Sequence, residues 1–295
     1  MNKVNIVLDA TMIDTFMSCE AKFDMRFNKN KIPITKAKPL DRGALIHSGF
    51  ESYFNGLKSN LSFDKSLVAG IESMRSESVL TDLENDEINL YINAFSESCN
   101  FYRSRDEQME ILAVETPFSY LLHEDETIRL IMIGKIDLLV NEPGYSNLPY
   151  DHKSYERSYP LDRKSVQFCN YAYAMSSNYL MINKVGLQKT LTVEQKHKRL
   201  PLSYDPLFLE QWKQNTIAWA YRYLECTQSG IWPLNTTSCN KFNRECEYSE
   251  VCNSSGIEAK TYKLEANFNT AEVWDVSKSL GKKEDEKQSL SQVKA

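Results

Sequence analysis

Three charged residues stand where an apolar strand has least use for them. Asp137 interrupts LIMIGKIDLLV, nearly the most apolar stretch of the chain, and Asp151 and Lys153 follow 14 and 16 residues later in YDHK. On a strand, residues i and i+2 face the same side, so Asp151 and Lys153 project together. A hairpin through 141–147, turned at its Pro/Gly pair, lays that face beside Asp137. Two carboxylates and an ammonium converging there make a divalent-metal site with a cation beside it. That is the chemistry of phosphodiester hydrolysis: the metal neutralises phosphate and acidifies a bound water, and the lysine holds the water or the developing charge. A structural Asp–Lys ion pair is the competing reading, and D-x-K by itself favours it. Asp137 weighs the other way, because a carboxylate in so apolar a run is costly unless paired or metal-bound.

The elements that must position these residues can be read from periodicity. Thr11 to Asn28 has helical spacing (Met12/Ile13, Phe16/Met17, Phe23, Phe27), with Thr11 and Asp14 as a capping pair. Helices are expected over about 41–57, 62–79 and 84–104, the last two separated by an acidic run. Ile111–Leu122 and Ile128–Val140 are apolar and β-branched between polar turns and read as strands, with Leu148–Lys153 a third. Arg163–Leu180 reads as helix and Val185–Glu194 as an alternating strand. Asp205-Pro206 opens a long helix ending near Gly230. The expected fold is α/β: a mixed central sheet flanked by helices, within one domain over 1–270. Residues 48–108 form a helical insertion in this reading, and 239–252 a cysteine-rich segment. The polar residues 271–295 are read as a disordered tail.

Gly134-x-x-Asp137 followed by Asp151-x-Lys153 resembles the core motif of the PD-(D/E)XK nuclease superfamily, with its restriction-endonuclease-like fold. More narrowly it is similar to the RecB-like branch, which includes CRISPR adaptation nucleases and phage-encoded exonucleases. Gly43-x-x-x-His47, Glu115 in VETPF, and Gln167-x-x-x-Tyr171 occur in the order that branch has them, so the likeness spans about 11–252. It implies Mg²⁺ or Mn²⁺ held by His47, Asp137, Asp151 and the backbone carbonyl of His152. It also implies Asp137, Asp151, Lys153 and Glu115 as the catalytic set, and Gln167 and Tyr171 as guides for the nucleic acid. Plainer roles stay open: His47 packed beside Phe50, Glu115 paired with a lysine, and Tyr171 in an aromatic core with Phe168 and Tyr173. Imidazole suits Mn²⁺ better than Mg²⁺.

Cys239, Cys246 and Cys252 are spaced C-x6-C-x5-C, and Cys19 stands far upstream in SCEAKF. Four thiolates in a reducing compartment select zinc or an iron–sulfur cluster. The arrangement resembles the 4Fe–4S staple of the RecB-like branch, which ties the two ends of the chain together; zinc is the alternative. Closer relatives often have two residues between the second and third cysteines, not the spacing seen here. Cys99, Cys169 and Cys226 lie in apolar helical patterns and read as core thiols.

The chain has 295 residues, with 35 basic and 40 acidic side chains, giving a formal net charge of -5. That excludes a protein that coats nucleic acid by bulk charge, but Lys22–Arg42 and Lys184–Arg199 are locally basic. No apolar run reaches the roughly 18 residues of a membrane span. Met1–Ala10 is too short in its apolar part for a signal peptide, so a cytoplasmic location in a bacterial or phage-infected cell is expected. The resulting expectation is a metal-dependent DNA nuclease, an exonuclease on single strands or ends, serving recombination, repair, replication or spacer acquisition with protein partners. The alternative is a catalytically silent DNA-binding adaptor of the same fold. No phosphate-binding Gly-rich loop is present, so unwinding falls to a partner.

Overall fold

A computed structural model describes residues 3–34, 38–156, 162–241 and 244–271. The chain divides into two compact units. The first takes Met1–Lys36, Ser119–Gly134 and Glu210–Ala295, and the second takes Ala37–Phe118 and Lys135–Leu209. Most of the expected tail, from 272 onward, lies outside the described residues.

In chain order the elements begin with strand β1 (Val4–Leu8), helices α1 (Ala10–Ser18) and α2 (Glu20–Phe23), and strand β2 (Lys31–Pro33). Three long helices follow: α3 (Lys38–Lys58), α4 (Phe63–Ser78) and α5 (Asn85–Asp106). Strands β3 (Glu110–Glu124), β4 (Ile128–Glu142) and β5 (Tyr145–Tyr155) lead to helix α6 (Val166–Ala174) and strand β6 (Tyr179–Gly186). The short helix α7 (Val193–Lys196), strand β7 (Lys198–Ser203) and the long helix α8 (Pro206–Ser229) come next. The C-terminal part adds β8 (Asn240–Lys241), β9 (Arg244–Glu245), α9 (Ser249–Cys252), α10 (Ile257–Asn267) and β10 (Phe268–Thr270).

The second unit is built on β4–β5–β6–β7. β4 and β5 are antiparallel (Leu138 with Tyr150, Val140 with Leu148), β5 and β6 parallel through the α6 crossover, and β6 and β7 antiparallel. Gly144, at φ +87, makes the β4–β5 turn after Pro143, a left-handed position that favours glycine. One face of this sheet carries Leu138, Val140, Leu148, Tyr150, Met181 and Val185. It shares a core with Phe50, Tyr53 and Phe54 of α3, Met74 of α4 and Phe95 of α5. The stretch 48–108 therefore packs directly on the sheet. α3 and α4 meet closely: a Cβ on Gly70 would stand 2.8 Å from the Gly49 carbonyl oxygen and 2.6 Å from the Phe95 ring.

Two sequence expectations need correction here. The helix read over Arg163–Leu180 ends at Ala174, and a strand begins at Tyr179; the strand read over Val185–Glu194 stops at Gly186. Leu180–Val185 is buried without interruption, because β6 is an interior strand paired on both edges. A strand covered on both faces loses the alternation that marks a half-buried one, so its apolar run reads as helix. Thr192 instead opens α7 through a capping box with Gln195.

In the first unit β1 runs parallel to Ile128–Met132 of β4. The single helix expected over Thr11–Asn28 is capped by Asp9, which accepts from the Met12 N–H at 2.7 Å, rather than by Thr11. It breaks at Cys19, whose backbone is extended, and resumes as α2 and a π-helical turn over Asp24–Asn28. Asn235 takes up the broken end: its side chain donates to the Ser18 carbonyl at 2.8 Å, and its N–H to the Cys19 sulfur at 3.4 Å. Phe16, Phe23, Trp219, Tyr223 and Trp232 form an aromatic cluster over Cys226.

Candidate active site

The β4–β5 hairpin sets Asp137 and Asp151 side by side. Its register pairs 138 with 150, and one step further places 137 opposite 151. There the Asp137 carboxylate replaces the ladder, accepting from the His152 backbone N–H at 2.8 Å. Helix α3 delivers His47, with Nδ1 3.6 Å from Asp137 Oδ2 and 3.2 Å from Glu115 Oε1. Glu115 reaches the site through a backbone kink: φ +44 in the middle of β3 is a left-handed conformation rare for glutamate. Such strain persists only where the surroundings over-determine it. Ligand atoms of His47, Glu115 and Asp137 all lie within 4.8 Å of one another.

On the other side of Asp137, Lys153 Nζ stands 3.0 Å from the Asp151 carboxylate and 3.4 Å from Gln167 Oε1. Gln167 donates to the Tyr171 hydroxyl at 3.0 Å, and that hydroxyl donates to the Lys135 carbonyl at 2.7 Å. The one-turn spacing on α6 thus becomes a chain linking the ammonium to the backbone of β4. Tyr171 is also buried beside Phe118, so it packs and hydrogen-bonds at once. All seven predicted side chains, His47, Glu115, Asp137, Asp151, Lys153, Gln167 and Tyr171, fall in one neighbourhood of the second unit. His152 points its ring to the opposite face, stacked on Phe50 with centroids 4.2 Å apart.

The electrostatics follow from burial and crowding. Asp137 is raised above the usual carboxylate range by burial and then by Asp151 and Glu115, against the pull of His47. Burial likewise raises Asp151 despite Lys153. Burial opposes the ionisation of Glu115, but His47 and Lys135 outweigh it and hold its pKa low. His47 resists its own burial and is raised, because Asp137 and Glu115 face it. Both oxygens of the fully buried Asp151 stand 3.0 Å from the Lys153 ammonium. Crowded carboxylates and an imidazole nitrogen turned to one space fit a hard divalent cation better than they fit one another.

Sequence reasoning missed Lys135. Its ammonium contacts the second oxygen of Glu115, and its side chain is 52% exposed. The signal was available: a charge two residues before Asp137 in an apolar strand must share its face. Asn183, whose amide lies 3.0 Å from His152 Nδ1, and the buried Arg199 behind it were invisible until the sheet was assembled.

A family model of the PD-(D/E)XK nuclease superfamily matches residues 8–253. The chain belongs to the PD-(D/E)XK nuclease superfamily. A search of curated proteins finds no match. Among solved structures, this superfamily member is similar to a protein from Eubacterium rectale provisionally named an exonuclease. The identity is 11% over 84% of this chain and 93% of that one, with a TM-score of 0.48.

In the first unit, Cys19, Cys239, Cys246 and Cys252 line one small cavity of about 20 Å³ with Met25, Asn235 and Tyr248. Cys246 donates its N–H to the Cys239 carbonyl at 2.8 Å, next to the antiparallel β8–β9 pair. Burial raises the Cys252 thiol, and the neighbouring Cys246, Cys19 and Cys239 add to it. Cys99, Cys169 and Cys226 are buried elsewhere. Among the described residues no helix is long and apolar enough to cross a membrane.

Proposed function

We propose that this PD-(D/E)XK superfamily member is a divalent-metal-dependent deoxyribonuclease of the RecB-like branch, acting as an exonuclease on single strands or DNA ends. The observation that carries the reading is the His47–Glu115–Asp137 donor set beside the Asp151–Lys153 pair. His47, Asp137 and Asp151 would hold Mg²⁺ or Mn²⁺, with the His152 carbonyl completing the set and Glu115 facing the same space. A bound ion would supply charge neutralisation at the phosphate and acidification of water. The rest of the chemistry falls to the chain. Lys153, held between Asp151 and Gln167, presents its ammonium to the attacking water and to charge developing on phosphate. Asp151 keeps that ammonium in place, and Gln167 with Tyr171 fixes the edge along which the strand lies.

The four-cysteine cavity takes a 4Fe–4S cluster in this reading, as a structural clamp between the Cys19 break and the C-terminal segment.

A time course on 5′- and 3′-labelled single- and double-stranded DNA, with Mg²⁺, Mn²⁺ or EDTA, tests the proposal. Metal-dependent release of short products from single strands is expected, abolished in Lys153→Ala with folding intact. Tight binding in EDTA with no cleavage in either metal would instead make the chain a silent DNA-binding adaptor.

A further inference from the structure

The sheet register assembles something the linear sequence scatters. Lys153 of β5 pairs with Lys184 of β6, and Lys184 pairs with Lys198 of β7. Residues paired across neighbouring strands project from the same face. The β4–β5 register, 138 with 150, extends to 135 opposite 153, although the hydrogen-bonded ladder stops short of that position. Four adjacent strands thus each place one lysine in a single row: Lys135, Lys153, Lys184, Lys198. The row is on the face that carries Asp137 and Asp151, two residues along each of their strands.

Like charges set directly opposite on neighbouring strands are destabilising. Within the row, Lys135 leans on Glu115 and Lys153 on Asp151. Lys184 is buried, its ammonium 4.4 Å from the centroid of the Tyr155 ring; burial lowers its pKa and the charge of Lys198 lowers it further. The two ends are open to solvent: Lys135 has 52% of its side chain exposed, and Lys198 is exposed. At about 4.8 Å per strand, three steps cover roughly 14 Å, enough for more than one phosphate. A row of cations at right angles to the strands, meeting an acidic centre at one position, matches a polyanion crossing that centre.

We propose that Lys135 and Lys198 are phosphate-binding residues at the two ends of a cross-strand lysine row, along which a single DNA strand lies as it passes Asp137 and Asp151. Lys184 adds its charge from beneath. The proposal rests on the nuclease reading for its substrate, and it assigns a direction to the strand that the motif residues alone do not.

The test is the salt dependence of binding to a fluorescent oligothymidine, measured by anisotropy in EDTA so that no metal-dependent cleavage intervenes. Each phosphate contact on a single strand contributes about -0.7 to the slope of log affinity against log salt. Lys135→Gln and Lys198→Gln are each expected to flatten the slope by about 0.7, the double variant by about 1.4, and Lys135→Arg or Lys198→Arg to restore it. In 0.1 M salt each single loss is about fivefold in affinity. Lys65→Gln, an equal charge change at an exposed site on α4, is the control and leaves the slope in place. Slopes for the row variants no different from that control would overturn the proposal, as would a wild-type chain that does not bind the oligonucleotide. Wild-type chain that binds with a steep slope yet cuts nothing in Mn²⁺ would remove the nuclease reading and leave the row standing.

Discussion

Asp137→Asn should make the metal-free protein more stable and the metal-loaded protein comparatively less so. Asp137 is 5% exposed, and its Oδ2 accepts one hydrogen bond, from the His152 N–H at 2.8 Å. Asparagine keeps that acceptor through its carbonyl oxygen. What disappears is a buried charge crowded by Asp151 and Glu115, and against that stands the lost attraction of His47 at 3.6 Å, whose side chain is 31% exposed and partly screened. A buried carboxylate whose pKa is raised by desolvation and by neighbouring carboxylates destabilises the fold while it is ionised, and asparagine removes that cost. With about 1–2 kcal/mol here, and about 2–4 °C per kcal/mol for chains of this size, melting in EDTA should rise by about 2–8 °C. Mn²⁺ at a hundred times its Kd adds about 2.7 kcal/mol to the wild type, and little to the variant, so the order reverses. Differential scanning calorimetry in EDTA and in a Mn²⁺ series reads both halves. A variant that melts several degrees below the wild type in EDTA would show that Asp137 is there to pair with His47. Equal stabilisation of both proteins by Mn²⁺ would show that it is no ligand.

Other expectations follow from the same geometry. Asp106→Ala strands the Arg199 guanidinium, 1% exposed and 2.5 Å from the lost oxygen, and should cost about 3–5 kcal/mol in urea unfolding; an unchanged midpoint would mean that Arg199 is hydrated. Gly70→Ala should destabilise by about 1–3 kcal/mol, despite the better helix propensity of alanine, because the new methyl meets the Gly49 carbonyl and Phe95. A gain in melting temperature would show that α3 and α4 part easily. Protein purified without oxygen should be brown, absorbing broadly near about 400 nm as Fe–S proteins do, and Cys246→Ser should bleach it. Colourless wild-type protein carrying one zinc would assign the cavity to zinc.

Much of the site was legible because β-strand geometry is local. A two-residue period forces Asp151 and Lys153 onto one face, and a Pro-Gly turn of fixed length carries them back to Asp137. Four-residue spacing does the same for Gln167 and Tyr171 on α6. The long amphipathic helices, α3 to α5 and α8, were placed within a few residues for the same reason. Interior strands were harder. β6 looks helical in sequence since both its faces are buried, and β1 and β7 were not seen at all.

Residue types and short spacings by themselves determined which chemistry the chain could host: carboxylates on apolar strands, an early histidine, and three clustered cysteines with a fourth upstream. Tertiary structure decided who stands beside whom. Only the left-handed kink at Glu115 turns that residue toward His47, and only the register of four strands lines up Lys135, Lys153, Lys184 and Lys198. Cys19 meets the C-terminal cysteines only because α1 breaks there. Local periodicity tells which way a side chain points along its own element. Which element lies opposite is settled by the burial of whole faces, a property that no short window of sequence contains.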